Sequence, residues 1–231
     1  MIDLYTWPTP NGFKISIMLE EIDLPHTVIP INIGEGDQFE ADYLKINPNN
    51  KMPTIVDQDG PGGKAFTVFE SGAILIYLAE KAGQLMPTDT AARSLVMQWL
   101  MFQMANVGPM LGQAHHFRNY TKERLQYAFD RYTNETSRIY GILDKRLGEA
   151  EYLAGDYSIA DIATAPWLRY PDRQGQDLND FPNIERWRDS LFARPGWERG
   201  FEVLADRRRD PATMSEEQRA NLFGGKQYAR R

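Results

Sequence analysis

Glu70 and Ser71 stand where a predicted strand, Phe66-Thr67-Val68-Phe69, gives way to a strongly apolar predicted helix over residues 70–82. The free N–H groups at the start of a helix bind carboxylates. Ser71 adds a hydroxyl there, and Glu70 can receive an ammonium. The pair therefore matches an amino-acid-like head group that carries both charges. The simpler account of the same residues is an ordinary serine cap beside a solvated glutamate. A second stretch, Asn47-Pro48-Asn49-Asn50-Lys51-Met52-Pro53, reads as a turn ahead of a strand. A cis bond before Pro53 would present the Met52 N–H and C=O to an extended peptide. Only about 5–6% of such bonds are cis in folded proteins, so the residues alone favour a plain turn. The third stretch, Tyr5-Thr6-Trp7-Pro8-Thr9-Pro10-Asn11-Gly12-Phe13-Lys14, joins a predicted strand over residues 1–5 to a predicted helix over residues 12–21. Thr9 and Asn11 are both types that turns favour.

No thiol is available to any of these stretches, because the chain has no cysteine. That removes a disulfide framework, a Cys-ligated zinc and a cysteine nucleophile, and it fits a reducing compartment. His115-His116 invites a metal reading. Neighbours on a helix point about 100° apart and no third ligand follows at the right spacing, so no metal is expected. Trp99, Phe102, Met104 and Met110 could line an apolar pocket, but Trp99 and Phe102 read more simply as core. Arg207-Arg208-Arg209 reads as a solvated run.

The elements that must position these groups fall into two parts. With 231 residues and 42% apolar content, the chain can build a substantial core. Its formal net charge of −6 argues against nucleic acid as a partner. No apolar run approaches the ~20 residues of a membrane helix, and no signal peptide is evident, so a cytoplasmic protein is expected. The first part reads strand-helix-strand-(helix)-strand-strand-helix, a mixed sheet with helices packed on it. Ile29, Ile31 and Ile33 alternate as in a strand, and Pro30 within it predicts a sheet edge. Residues 52–57 and 66–69, separated by a glycine-rich turn, predict a hairpin. The second part is helical: residues 91–104 with Leu95, Trp99 and Phe102 inward, residues 121–147, and a helix from Phe181-Pro182-Asn183 to Arg194-Pro195. Ser158 and Asp161 are spaced as a capping box. The organisation is thus 1–82, a linker over 83–90, an all-helical domain over 91–205 and a polar extension over 206–231.

In this order and context the chain resembles the glutathione S-transferase superfamily. The resemblance implies an α/β thioredoxin-like N-terminal domain plus an all-α C-terminal domain. The stretches Tyr-Thr-Trp-Pro-Thr-Pro-Asn-Gly, Pro-Asn-Asn-Lys-Met-Pro, Phe-Glu-Ser-Gly-Ala-Ile-Leu-Ile-Tyr-Leu-Ala-Glu-Lys and Gly-Pro-Met-Leu-Gly-Gln-Ala-His-His-Phe are most similar to the Nu class, the YfcG-type disulfide-bond oxidoreductases. The first of these lies at the junction where thioredoxin-like folds place a reactive cysteine.

The resemblance implies that the reactive thiol belongs to bound glutathione. Thr9, Asn11 and the positive end of the first helix can donate to its sulfur anion. Lowering a thiol pKa by about two units from about 8.5 corresponds to ~2.7 kcal/mol. Charge-assisted hydrogen bonds and a helix terminus can supply that. By the same resemblance, Glu70 and Ser71 hold the γ-glutamyl end, and Met52 offers its backbone to the cysteinyl unit with Pro53 cis. Lys51 and Gln38, the latter on a loop suited to covering a ligand, reach toward the glycine carboxylate. Lys51 stands where relatives carry arginine, so charge is kept but a bidentate fork is lost. Arg131 would reach glutathione from the other subunit of a homodimer. The implied reaction is reduction of a small or peptide disulfide with two glutathione molecules. Conjugation or cleavage of a small electrophile uses the same thiolate, and a non-catalytic binding module keeps the same fold.

Overall fold

Fully buried Ile2 and Leu4 alternate with half-buried Asp3 and Tyr5 along β1 (Ile2–Thr6), and this period of two turns one face of the strand to the core. In the computed structural model, which describes residues 1–208 and 213–229, β1 lies inside a four-stranded mixed sheet of order β2-β1-β3-β4. β2 (His26–Pro30) runs parallel to it, while β3 (Thr54–Asp57) and β4 (Phe66–Phe69) form the expected antiparallel hairpin. Pro30 sits in the edge strand, where its missing N–H breaks no ladder. The strand itself is shorter than the alternation of isoleucines predicts. Ile31 N–H still reaches Thr6 O at 2.9 Å, but Asn32 then donates its N–H to the Asp37 carboxylate at 2.7 Å. That closes a loop over residues 32–37 and takes Ile33 out of the sheet.

Helix α1 (Pro10–Glu21) is buried at every position from Gly12 to Leu19. Its start needs Gly12, because a Cβ there would stand 2.1 Å from Trp7 O. Helices α2 (Ala41–Ile46) and α3 (Ser71–Ala82) follow. Helical elements then continue as α4 (Thr90–Phe102), α5 (Gly108–His115), α6 (Gln126–Glu149), α7 (Ile159–Thr164), α8 (Pro182–Phe192), α9 (Pro195–Glu202) and α10 (Glu216–Phe223).

Two compact units emerge: Met1–Tyr77 with the described residues of Arg199–Arg231, and Leu78–Glu198. In the first unit the later segment is pinned to α1. Ser16 donates to Gly200 O at 2.8 Å, Arg199 pairs with Glu20 at 2.5 Å, and Phe201 meets Phe13 edge-on at 5.2 Å. The reading of residues 207–209 as a solvated run fits Arg207, which is exposed and pairs with neighbouring Asp206, but not Arg208, which lies over the Phe13 ring and donates to Phe201 O; Arg209 lies outside the described residues. Nor is the polar segment wholly solvated, since Asn221 is fully buried and donates to Gly34 O at 2.8 Å.

In the second unit the capping box is present at α7. The α4 face is one residue out from the expectation: Val96, Leu100, Gln103 and Val107 are buried, whereas Trp99 and Phe102 are half-buried and meet edge-on at 5.6 Å. The buried positions keep helical spacings of four, three and four, and a π-helical turn over Gln103–Val107 follows α4. Met104 and Met110 are also half-buried. Helix α6 begins at Gln126 rather than near residue 121, because a second π turn, His116–Tyr120, ends with Thr121 in extended backbone.

Candidate functional site

Thr9 caps α1, and its Oγ1 accepts from Gly12 N–H at 3.2 Å. That contact uses a lone pair and leaves the hydroxyl hydrogen to donate elsewhere. It points at Met52 Sδ, 3.6 Å away. A hydroxyl at the positive end of a helix is thus already aimed at a sulfur. Asn11, half-buried, occupies the first turn of the same helix.

The Met52-Pro53 peptide bond is cis. The turn ahead of it is held from beneath by a buried polar group. Asn47 Nδ2 and Tyr43 OH both donate to Lys51 O, at 2.5 and 2.6 Å, and both also contact Thr54 Oγ1, at 2.8 and 3.0 Å. Asn47 and Thr54 are almost wholly enclosed, so these bonds form out of water and their loss would leave unsatisfied groups. On the outer side, Asn49 donates to the Glu70 carboxylate at 3.1 Å, tying this turn to the start of α3.

Glu70 has φ of 70°, a left-handed conformation costly for a residue with a Cβ. Such strain marks functional sites, and here it holds the exposed Glu70 side chain out beside a buried Ser71. Ser71 begins α3, which has no acidic residue in its first turn. Under it lies Lys14, 1% exposed, whose Nζ donates to Ser71 Oγ at 3.2 Å. Burial pushes the Lys14 ammonium down to about 7, while the Glu70 carboxylate pulls it upward.

The residues singled out in the sequence fall into groups. Thr9 and Met52 are in contact, as are Ser71 and Lys14, and Asn49 joins Glu70 to the turn that carries Lys51 and Met52. Lys51 is exposed, and its Nζ donates to Gln227 Oε1 at 2.7 Å. Gln38 is buried, with Nε2 donating to Ile33 O at 3.2 Å and Oε1 lacking a partner. The loop before Gln38 is anchored by Asn32 and Asn221 rather than free. Arg131 is exposed on α6, in the other unit.

Sequence reasoning passed over Lys14, Tyr43, Asn47, Asn49 and Thr54. A usable signal existed for Lys14 alone: it is the single charge in the run Gly-Phe-Lys-Ile-Ser-Ile-Met-Leu. Among the described residues no group of three or more His, Cys, Asp or Glu could hold a metal. None of the helices among the described residues is long and apolar enough to cross a membrane. His115 is neutral, since burial pushes it down to about 4.

The chain has relatives among known proteins. Residues 1–80 match the glutathione S-transferase N-terminal domain, and residues 97–195 match the C-terminal domain. The chain is 47% identical over 197 residues to the disulfide-bond oxidoreductase YfcG of Escherichia coli (strain K12), covering 84% of this chain and 92% of that one. A glutathione transferase family member from Pseudomonas fluorescens, solved with two glutathione bound, superposes with a TM-score of 0.83 at 45% identity over 87% of this chain and 92% of its own. A glutathione transferase from Pseudomonas putida, with one glutathione disulfide bound per subunit, gives 0.85 at 41% identity over 88% and 91%.

Proposed function

Because the chain belongs to the glutathione S-transferase family, we propose that it is a glutathione-dependent disulfide-bond reductase that works with the thiolate of bound glutathione. The observation that carries this reading is a sulfur-directed hydroxyl, Thr9, at the N-terminus of α1 in a chain without cysteine. The similarity to YfcG supports disulfide chemistry over conjugation. The Pseudomonas relatives support a site that takes two glutathiones or one glutathione disulfide.

The glutathione thiolate, stabilised by Thr9, Asn11 and the helix terminus, attacks one sulfur of a small or peptide disulfide. The S–S bond breaks, and its electron pair leaves on the second sulfur, which takes up a proton. A second glutathione thiolate attacks the glutathione sulfur of the mixed disulfide and releases the other thiol. Two glutathiones become oxidised glutathione while the substrate gains two electrons and two protons.

Glu70 and Ser71 hold the γ-glutamyl end, and the Met52 backbone before cis-Pro53 pairs with the cysteinyl unit. Lys51 and Gln38 face the glycine carboxylate. Arg131 completes the site from the second subunit of a cytoplasmic homodimer.

The test is glutathione-dependent reduction of hydroxyethyl disulfide by the purified protein, coupled to a reductase, beside conjugation of an aromatic chloride. Fast disulfide turnover with weak conjugation is expected. Conjugation without disulfide turnover would overturn the reading in favour of a transferase.

A further inference from the structure

We propose that Met52 is a site of oxidative modification that controls Thr9: a peroxide converts its thioether to the sulfoxide, which captures the Thr9 hydroxyl and withdraws it from the glutathione sulfur. The inference rests on the reading of Thr9 as a donor to that sulfur.

A chain without cysteine keeps all its sulfur in nine methionines, so peroxide attack on sulfur here falls on thioethers. Met18 and Met86 are buried, and Met101, 45% exposed, lies in the other unit. Met52 is half-buried, and its Sδ stands 3.6 Å from Thr9 Oγ1. That oxygen already accepts from Gly12 N–H, so the hydroxyl has one hydrogen to give, and the thioether holds it. Both partners are anchored. Thr9 caps α1, while Asn47 and Tyr43 hold the Lys51 carbonyl immediately before Met52. A like contact, from Thr27 Oγ1 to Met1 Sδ at 3.7 Å, is exposed at the opposite end of β1 and supplies an internal control.

A thioether is a weak acceptor, so a glutathione thiolate takes the hydroxyl from it through a stronger, charge-assisted bond. Oxidation changes that competition. The Met52 sulfur lone pair attacks the nearer oxygen of hydrogen peroxide and the O–O bond breaks. The proton left on the transferred oxygen passes to the departing hydroxide, which leaves as water. Sulfur loses two electrons and the peroxide gains them. The new oxygen is one bond from a sulfur already facing Thr9, so the hydroxyl turns to it without a backbone shift. The negative end of the S–O dipole then stands beside the developing thiolate. The site loses a donor and gains a repulsion. Reduction by methionine sulfoxide reductases restores the thioether.

The test treats the purified protein with hydrogen peroxide in the absence of glutathione, removes the peroxide and maps each methionine by mass spectrometry. Two quantities follow: the pKa of the bound glutathione thiol, from thiolate absorbance, and disulfide turnover. Each protein is scored against its own untreated sample. In the parent, the bound-thiol pKa is expected to rise by about 1–2, the scale of a lost hydrogen bond to a charged group, and turnover to fall about tenfold or more. Both should track Met52 sulfoxide, not Met1 or Met101 sulfoxide, and both should return after treatment with methionine sulfoxide reductases. Met101→Leu should respond as the parent does. Met52→Leu should lose about twofold or less. Untreated Thr9→Val should already show the raised thiol pKa, with no further rise on oxidation.

Met52 sulfoxide that leaves the bound-thiol pKa unmoved overturns the inference. So does a peroxide dose that oxidises Met1 and Met101 but spares Met52, or a Met52→Leu protein as sensitive as the parent. Should a variant not fold, the parent decides: a loss that persists once Met52 is reduced again overturns the role of the sulfoxide. An ordinary thiol pKa in the untreated parent is a different failure, because it overturns the thiolate reading of Thr9 and this inference with it.

Discussion

A serine stands at the N-terminal end of both α3 and α7, as the first helical residue of one and the cap of the other, and the two ends differ in charge. At α7, Ser158 caps the helix and Asp161 closes the reciprocal half of the box. The Asp161 carboxylate accepts from the N–H groups of Leu153 and Ser158, each at 3.0 Å, from Trp187 Nε1 at 2.9 Å, and from Ser158 Oγ at 3.4 Å. Burial raises this carboxyl, those four donors oppose the rise, and the outcome is about 6. The negative charge that a helix start prefers is thus supplied by the helix itself. At α3 the first turn carries no acid, and the buried charge beneath Ser71 is positive. A helix start closed on its own carboxylate builds the fold. One backed by a buried lysine suits the γ-glutamyl end of glutathione proposed above to sit there.

The largest expected effect would break the α7 side of that contrast. Asp161→Ala strands the Trp187 and Leu153 donors in a dry interior and should cost about 3–5 kcal/mol in denaturant unfolding, as removing one partner of a buried charged network does. A loss under about 1 kcal/mol would mean the network is structural in name only.

Next comes Lys14→Met, which should stabilise the protein by about 1–4 kcal/mol at neutral pH, since replacing a buried ion by a packed apolar side chain is often favourable. Burial pushes the Lys14 ammonium down to about 7 in the folded protein, against the ordinary 10.5 of an exposed lysine in the unfolded chain. Between those values the unfolded chain holds more protons, so the Lys14 contribution to stability rises as pH rises through this window. The advantage of the variant over the parent should therefore shrink from pH 7 toward pH 10. An advantage constant across that range would show that the parent buries no titrating amine here.

Third, the thiolate end and the head-group end should separate kinetically. Asn11→Ala is expected to lower disulfide turnover by about 10- to 100-fold, the worth of a hydrogen bond to a charged group, with a smaller change in glutathione affinity. Ser71→Ala should do the reverse. Equal losses of both properties in both variants would remove this division of labour.

The smallest effect sharpens the comparison directly. Ala73, exposed in the first turn of α3, can be changed to Asp to give that helix an acid of its own. Stability should rise by about 0.3–1 kcal/mol, and glutathione affinity should fall about two- to fivefold. Unchanged affinity would mean that no external carboxylate is bound there.

The parts legible in the sequence are those governed by local rules. The 66–69 hairpin arm, the edge placement of Pro30 and the Ser158/Asp161 box follow from turn chemistry, a missing N–H and a fixed spacing. What stayed hidden depends on tertiary enclosure. Leu95, Trp99 and Phe102 satisfy a helical repeat, but so do their neighbours Val96, Leu100, Gln103 and Val107, and only the tertiary packing selects the second set for burial. Asn47 and Thr54 look like turn and strand residues, and only the fold makes them the clamp on Lys51 O. Lys14 reads as one polar residue in an amphipathic helix until α1 proves to be enclosed on all sides. At the candidate site the segments were visible, while the buried polar atoms that hold them were not.

The contact between Lys51 and Gln227 changes what ligand affinity measures at that end of the site. Lys51 Nζ already holds a carboxamide oxygen at 2.7 Å, and Asn50 Nδ2 reaches the same oxygen at 3.4 Å. An ammonium has three N–H donors, so a glycine carboxylate arriving at Lys51 would either share the ammonium with that oxygen or displace it, and any displacement would be subtracted from the binding constant. The resident competitor is part of the same chain, so its effective concentration is fixed by the polymer and no dilution removes it. Whatever loosens the helix that positions Gln227, including loss of the Asn221 bond to Gly34 O, would then register as tighter glutathione binding at a position the ligand never touches.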